Sequence, residues 1–210
     1  MKWHLLNSCV ALASLTWAAT GCSKAPWERM TVPPAQCATP EEVYELFLKS
    51  QSTPAERYLN PKLEGQYLVL LGCLTPEARG DLMTEFYLIL GRAKGGAEIL
   101  SKHKLSAFSG TVGPSPKDRN ESRIAHRRLL PPLENPGQFM KDTFDIHQGF
   151  TLLWLVKGLD DLKIDGNEAV ANVHGMNSRT AVADRIRVRF RKIGDHWFID
   201  TSPWWFPNGD

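Results

Sequence analysis

The last third of the chain carries a strand–turn–strand pattern that restricts the fold more than any other feature. Apolar and basic side chains alternate from Arg185 to Arg191, and Gly194-Asp195 then separates this run from a second apolar one. A two-residue turn of this composition joins antiparallel strands, so Phe190 is expected opposite Ile199. A shift of one residue would bury the arginine side chains, which makes the register strongly determined.

Side chains alternate across a strand, and this hairpin is therefore expected to bury one face and expose the other. The face expected to be buried consists of Ile186, Val188, Phe190, Trp197 and Ile199. The opposite face carries Arg185, Arg187, Arg189 and Arg191. On that face Arg189 is expected to pair with Asp200. The arginine row is either a binding surface or the wet face of an ordinary antiparallel sheet, and the pattern favours the second interpretation.

A second hairpin is predicted just before the first, because an Asp-Gly turn signal lies between two short runs. Its apolar face is expected to hold Leu162, Ile164, Ala169, Ala171 and Val173. Asp160 would then be the one carboxylate on that face, and it is the candidate catalytic residue, as a general acid or base. Solvent exposure at a strand end explains Asp160 more simply.

The first half of the chain is expected to be helical. Thr39-Pro40-Glu41-Glu42 combines a capping side chain, a proline suited to the first helical position and acidic residues that favour the positive helix end. Thr75-Pro76-Glu77 repeats this signal ahead of an apolar pattern that ends at Gly91. Residues 54–74 show near-helical apolar spacing, and a shorter helix is expected from Gly137 to His147. The fold class is therefore α+β, with N-terminal amphipathic helices packed on an antiparallel sheet of C-terminal hairpins.

The N-terminus has the organisation of a signal peptide. Lys2 supplies the positive start, and the apolar stretch from Leu5 to Thr20 is shorter than the roughly 20 residues that a membrane-spanning helix needs. Residues 1–21 are therefore expected to be removed. Ala19-Thr20-Gly21-Cys22 resembles the lipobox of bacterial lipoproteins, and this resemblance implies a lipid on the Cys22 thiol. Cleavage of the same bond by ordinary signal peptidase, which would leave the thiol free, is the alternative.

The resemblance also implies a location in the cell envelope, on the periplasmic side. Ser23 follows the cysteine, as in lipoproteins sent on to an outer membrane, so the outer membrane is favoured over the inner one. Three prolines lie among polar residues with no apolar period, and residues 22–39 are expected to be a lipid-anchored, Pro-rich tether. Residues 40–210 would then form a single α+β domain, which fits a chain of this length.

Charge and cysteine content narrow the function further. The formal charge is +2 and falls to about +1 once Lys2 leaves with the leader, which is too little for a nucleic-acid-binding protein. Cys9 also leaves, so Cys37 and Cys73 are the expected disulfide in an oxidising compartment, with a buried free Cys73 as the alternative. The sequence has no Cys-X-X-Cys motif or cysteine–histidine cluster, so neither a metal nor a cofactor is expected.

Two further segments are unusual. Residues 109–136 are rich in turn formers and charge and are expected to be a long loop within the domain. Arg119, Arg123, Arg127 and Arg128 lie in it beside His126. They either bind an anionic lipid or phosphate group or belong to a solvated loop, and the second is favoured. The tail residues Trp204, Trp205 and Phe206 either close the domain or dock on a membrane or protein, and the first is favoured.

Helices followed by a sheet that ends in Val188 to Asp200 resemble the nuclear-transport-factor-2-like (cystatin-like) superfamily. The resemblance covers the last quarter of the chain best and the helices only by their order. It implies a curved sheet that forms a cone, whose open end can hold a small molecule. Enzymes of this superfamily use a cavity Asp with a His, Tyr or second Asp for acid–base catalysis, but many of its domains have no known activity.

Few residues of this chain suit such chemistry. Asp145 and His147 are two positions apart and cannot share a helix face, and His103 and His196 are expected at the surface. The sequence therefore predicts a non-catalytic, membrane-tethered binding or accessory module of the bacterial cell envelope, whose partner is an envelope protein or a small apolar ligand. A small-molecule-pocket enzyme of the lyase or isomerase type, using Asp160, is the alternative.

Overall fold

Helices precede strands in the fold, as expected for the α+β class. The computed structural model describes residues 25–50, 64–107, 127, 130–146, 154–155, 158–176 and 183–200. In this part of the chain, a 3-10 turn at Pro26–Arg29 is followed by helices α1 (Pro40–Ser50), α2 (Glu64–Gly72), α3 (Pro76–Leu90), α4 (Gly96–Lys102) and α5 (Pro136–Ile146). The strands are β1 (Trp154–Leu155), β2 (Asp160–Asp165), β3 (Glu168–Met176), β4 (Ala183–Ile193) and β5 (His196–Ile199). The predicted class, α+β with C-terminal antiparallel hairpins, is confirmed.

Some of the sequence predictions concern residues outside the described ranges. These are the signal peptide, the lipidated Cys22, most of the 109–136 loop and the aromatic tail at residues 204–206. They stay predictions.

Both predicted capping signals begin helices. Ahead of α1, the Thr39 hydroxyl accepts a hydrogen bond from the Glu42 N–H at 3.2 Å, and the Glu42 carboxylate accepts one from the Ala38 N–H at 2.7 Å. Ahead of α3, the Thr75 hydroxyl accepts a hydrogen bond from the Ala78 N–H at 3.2 Å. The first N–H groups of a helix have no partner within it, and these side chains supply one.

The short helix α4 has no counterpart among the sequence predictions. It begins after Gly95, whose φ of +81° lies in the left-handed region, and no side chain caps it. Gly96 packs so closely against Leu90 that an added Cβ would lie 2.0 Å from the Leu90 carbonyl oxygen. Glycines that suggest a turn in the sequence therefore permit a tight reversal between two helices.

The sheet is antiparallel, with β3 and β4 at its centre. β5 pairs with β4, while β1 and β2 both pair with β3 on its other side. The Gly194-Asp195 turn sets Phe190 opposite Ile199, so the predicted register of the last hairpin is confirmed. Gly194 has a φ of +61°, the left-handed conformation that such two-residue turns require.

Helices cover one face of the sheet. The buried side chains of that face are Ala169, Ala171, Val173, Val188, Phe190, Trp197 and Ile199. They form one apolar cluster with buried residues from all five described helices, and each large apolar side chain in it contributes about 1.5–3 kcal/mol through burial. On the opposite face Arg187 and Arg189 are exposed, as predicted. The result is a two-layer domain whose sheet has one dry and one wet face.

The folded body begins earlier than the sequence predicts. Residues 30–37, which we expected to be part of a tether spanning 22–39, lie against the domain, with Met30, Ala35 and Cys37 buried. The Ala35 N–H donates to the Gly72 carbonyl at 3.0 Å. The tether prediction is therefore corrected for this segment. Apolar residues without a helical or strand period are still buried where they cover the edge of a sheet.

Candidate functional site

Cys37 and Cys73 are the predicted site residues that the structure brings together. The Trp197 N–H donates to the Cys37 carbonyl at 2.9 Å, and the Ile199 N–H donates to the Cys73 carbonyl at 2.8 Å. Alternate N–H groups of a strand point to the same edge. Both cysteines therefore lie along the outer edge of β5, where residues 30–37 meet the connection between α2 and α3.

Both cysteines are free thiols in the structure, so the predicted disulfide is not present. Cys73 is fully buried and Cys37 is 6% exposed. Burial, with a smaller effect of Cys37, raises the pKa of Cys73 to about 12. Burial and the negative charge of Glu42 raise the pKa of Cys37. Because thiolates are the nucleophiles and metal ligands, neither residue suits those roles in the docked state.

Arg79 holds the part of the chain that carries Cys73. Its Nε donates to the Leu71 carbonyl at 3.1 Å and its Nη2 to the Leu74 carbonyl at 3.3 Å. Burial lowers the pKa of Arg79 to about 10, so the guanidinium is still charged at neutral pH. Carbonyls at the end of a helix lack helical partners, and here a charged donor satisfies them. Arg79 therefore positions the α2–α3 connection against β5.

A second cluster of ionisable groups joins α4 to α5. Asp142 Oδ2 lies 2.8 Å from His103 Nε2 and 2.7 Å from Lys102 Nζ. Gln138 Nε2 donates to Asp142 Oδ1 at 2.7 Å. The His103 ring also meets the Phe139 ring edge-on, with centroids 5.2 Å apart. His103, expected at the surface, is therefore mostly enclosed by its contacts with α5.

The surroundings of Asp142 keep its carboxylate ionised. Burial alone would raise its pKa, but hydrogen bonds from Lys102, His103 and Gln138, with the positive charge of Lys102, lower the pKa below its ordinary value. A carboxylate with a lowered pKa is a weak base at neutral pH and holds no proton to donate. The cluster therefore suits attachment of α4 to α5 better than acid–base catalysis.

Arg127 changes the interpretation of the basic residues in the 109–136 loop. It forms an ion pair with Asp81 on α3, in which Nε donates to Oδ1 and Nη2 donates to Oδ2 at 3.3 Å. Asp81 is 2% exposed, and a two-pronged arginine contact offsets the cost of burying its charge. The solvated-loop interpretation is therefore wrong for Arg127, which attaches the loop to the helical layer. Arg119, Arg123, His126 and Arg128 lie outside the described ranges.

Asp160, the candidate catalytic residue, is exposed on the wet face of the sheet. A β-bulge between Asp160 and Lys163 adds one residue to β2, and Asp161 within it has a φ of +53°. Asp160 pairs with Asn172, which lies on the face opposite to Ala171. The prediction that Asp160 points to the apolar interior is wrong, because the bulge shifts the alternation by one position.

Two further details of the sheet differ from the predicted pattern. Ile164 pairs with Ala169 but is 56% exposed, because it lies near the tip of the β2–β3 hairpin. The ion pair that the structure gives Asp200 is with Arg191, while the predicted neighbour Arg189 accepts a backbone hydrogen bond from the Asp200 N–H at 2.8 Å.

The sequence predictions missed the roles of Arg79, Arg127 and the His103–Asp142 pair. Arg79 had a usable signal: it lies three residues before Leu82 and seven before Phe86, on the apolar stripe of α3, where a charged residue needs a partner. The other two contacts join residues far apart in sequence, and no local pattern indicates them.

The described residues include no group of three or more His, Cys, Asp or Glu side chains that could hold a metal ion. None of their helices has both the length and the apolar character to cross a bilayer. No protein-family model, curated protein or solved structure matches this chain. The resemblances to bacterial lipoproteins and to the nuclear-transport-factor-2-like superfamily therefore stay predictions.

Proposed function

We propose that this chain is a lipid-anchored, non-catalytic binding or accessory module of the bacterial cell envelope. It lies on the periplasmic side, with the outer membrane favoured over the inner one, and its partner is an envelope protein or a small apolar ligand. The observation that carries this proposal is the folded N-terminal segment, which begins directly after the predicted lipidation site.

The distance between lipid and domain would be short. Only Ser23 and Lys24 separate Cys22 from Ala25, whose N–H donates to the Glu28 carboxylate at 2.8 Å. The 3-10 turn at Pro26–Arg29 packs against α3. Three residue steps of extended chain span at most about 11 Å. A lipid on Cys22 would therefore hold the domain at the membrane surface, with α3 on the anchored side, rather than on a long flexible linker.

The use of ionisable side chains supports a binding role over catalysis. Asp142, Asp81 and Arg79 all form internal hydrogen bonds that join parts of the fold. Asp160, on which the alternative lyase or isomerase function depended, lies on the wet face. A membrane-attached protein whose buried charged side chains stabilise its fold fits an accessory module.

We propose the cone of nuclear-transport-factor-2-like domains as the finer architecture. Support comes from the helices-first order, from the helical cover on one face of the sheet, and from the β-bulge between Asp160 and Lys163, because bulges bend and twist strands. A crystal structure with a flat, open sheet would contradict this part of the proposal.

The anchor is tested on protein isolated from its own membranes. Mass spectrometry of the N-terminal peptide should show a chain that begins at Cys22 and carries acyl groups. Cys22→Ser should abolish the lipid mass and release the protein from the membrane fraction. Cys9→Ser, in the leader that is removed, is the matched control and should change neither. An intact Met1, or an unmodified Cys22 in freely soluble protein, would overturn the proposal.

A further inference from the structure

The separation of the two cysteines follows from how they bond to β5. The N–H groups of Trp197 and Ile199, which donate to the Cys37 and Cys73 carbonyls, are two residues apart on one edge. Two residues of strand span about 7 Å, so the two carbonyls are held at about this distance. Disulfides join residues whose Cα atoms are about 4.4–6.8 Å apart. The carbonyl spacing is at the upper limit of this Cα range, so formation of the bond needs a small shift of residues 30–37.

Two close contacts hold the segments that carry these cysteines together. The Ala35 N–H donates to the carbonyl of Gly72, the residue before Cys73, at 3.0 Å. A Cβ at position 72 would lie 2.4 Å from the Pro33 carbonyl oxygen, so only glycine permits this approach. Charge on Cys37 also contributes to the raised pKa of Cys73, an effect that requires the two thiols to be near each other.

We infer that Cys37 and Cys73 form a reversible disulfide that ties the N-terminal segment, residues 30–37, to the domain. The oxidant is a small or protein disulfide of the cell envelope, so the inference rests on the proposed location, although the pairing itself does not. Both residues carry free thiols in the structure, so the inference concerns an oxidised form of the protein.

The chemistry is two successive thiol–disulfide exchanges. The Cys37 thiolate attacks one sulfur of the oxidant, forms a mixed disulfide and releases one thiolate. The Cys73 thiolate then attacks Cys37 Sγ and displaces the second. Two thiol protons are given up, one S–S bond forms in the protein, and the oxidant is reduced to two thiols. Cys37 reacts first because it is the less deeply buried and lies on the segment that docks.

The bond would keep the segment docked until it is reduced. Both thiols are buried when residues 30–37 are docked, so oxidation requires the segment to open or to be caught during folding. Once formed, the bond closes a loop between positions 37 and 73, which restricts the unfolded chain and raises the melting temperature by about 10 °C.

The test uses mature protein extracted in detergent from its membranes, with free thiols alkylated before digestion. The Cys37 and Cys73 peptides should be recovered as one species, lighter than their sum by two hydrogen atoms and separated by reduction. Reduced protein treated with oxidised glutathione should regain this species and about 10 °C in melting temperature. Alkylated Cys37 and Cys73 after that treatment, or a linked species with no thermal gain, would overturn the inference.

The same digest keeps the two proposals apart, because the state of Cys22 is measured separately. A lipidated Cys22 with alkylated Cys37 and Cys73 overturns only the disulfide. Linked peptides with an unlipidated Cys22 overturn only the anchor.

Substitutions test whether the observed docking brings the thiols together. Cys37→Ser and Cys73→Ser should each abolish the linked species and the thermal gain. Gly72→Ala, which displaces Pro33, should lower the linked fraction severalfold in a mixture of oxidised and reduced glutathione. Val69→Ala, at an exposed position on the same helix, is the matched control and should reach the linked fraction of the original protein. Equal linked fractions for Gly72→Ala and the original protein would show that this docking does not bring the thiols together.

Discussion

His103 Nε2 and Asp142 Oδ2 lie 2.8 Å apart, although 39 positions separate the two residues along the chain. The contact joins the end of α4 to the middle of α5. Lys102 and Gln138 also bond to this carboxylate. The buried Asp142 side chain is therefore in contact with three polar side chains, those of Lys102, His103 and Gln138. The cluster therefore fixes α4 against α5, the two helices that flank the long connecting segment.

Asp142→Asn should lower the free energy of unfolding by about 2 kcal/mol at pH 7, because it removes the charge that Lys102 and His103 contact. The folded-state pKa of Asp142 is lowered, so its contribution is complete above the unfolded value and is lost as pH falls through the folded one. The original protein should lose its advantage as pH falls below the ordinary carboxyl value of about 4.

Urea unfolding at pH 7 and pH 3 measures this difference. Asp165→Asn, at an exposed strand end, is the control and should change the free energy of unfolding by less than about 0.5 kcal/mol. A difference between Asp142→Asn and the original protein that is independent of pH would contradict the assignment.

Arg127→Met should destabilise the protein by about 3 kcal/mol, because it leaves the buried Asp81 carboxylate without its arginine partner. Adding Asp81→Asn to this variant should recover part of the loss, since the uncompensated charge is then removed. Arg187→Met, on the wet face of the sheet, is the matched control and should cost less than about 0.5 kcal/mol. Chemical denaturation of the original protein, Arg127→Met, Asp81→Asn and the double variant gives the coupling energy, and additive effects of the two changes would contradict the pair's importance.

Thr75→Val should cost about 2 kcal/mol, because the Thr75 hydroxyl both caps α3 and donates to Asp200 Oδ1 at 3.0 Å. Valine keeps the shape of the side chain but forms neither hydrogen bond. Thr75→Ser keeps the hydroxyl and should lose about 1 kcal/mol or less. Thermal unfolding of the three proteins is the measurement, and a larger loss for Thr75→Ser than for Thr75→Val would assign the effect to packing instead.

In reduced, folded protein at pH 8, Cys73 should react with an alkylating reagent about a thousandfold more slowly than in urea. Its pKa is raised to about 12, so only about one thiol in ten thousand is ionised at that pH. Cys37→Ser isolates the reaction of Cys73. A folded-state rate close to that in urea would show that the N-terminal segment does not stay docked.

The sequence predicted best those features that depend on short-range patterns. The turn at Gly194-Asp195 and the alternation on either side of it determined which residues face each other, and the structure agrees at Phe190 and Ile199. The caps at Thr39 and Thr75 likewise begin helices, because a capping side chain acts within three or four residues of itself.

Features that depend on backbone irregularity or on distant partners were not predictable. One extra residue in β2 reversed the expected orientation of Asp160, and nothing in the composition of that strand indicates a bulge. Residues 30–37 have no period of their own, and their burial depends on the free edge of β5, which is more than 150 positions away. The pairs Arg127–Asp81 and His103–Asp142 require knowledge of helix packing.

The two edges of the described sheet differ in how many of their backbone groups are already paired, and this difference limits polymerisation by strand addition. A continuous β-sheet of many copies requires two unpaired edges on every molecule, so that each copy binds a neighbour at both edges. On this chain the N–H groups of Trp197 and Ile199 already bond to the chain's own cysteine carbonyls. Among the described strands, the edge formed by β1 and β2 is left for a second molecule, and the bulge and charged residues of β2 oppose such an addition. Assembly would stop at a dimer, so the covered β5 edge opposes fibre formation.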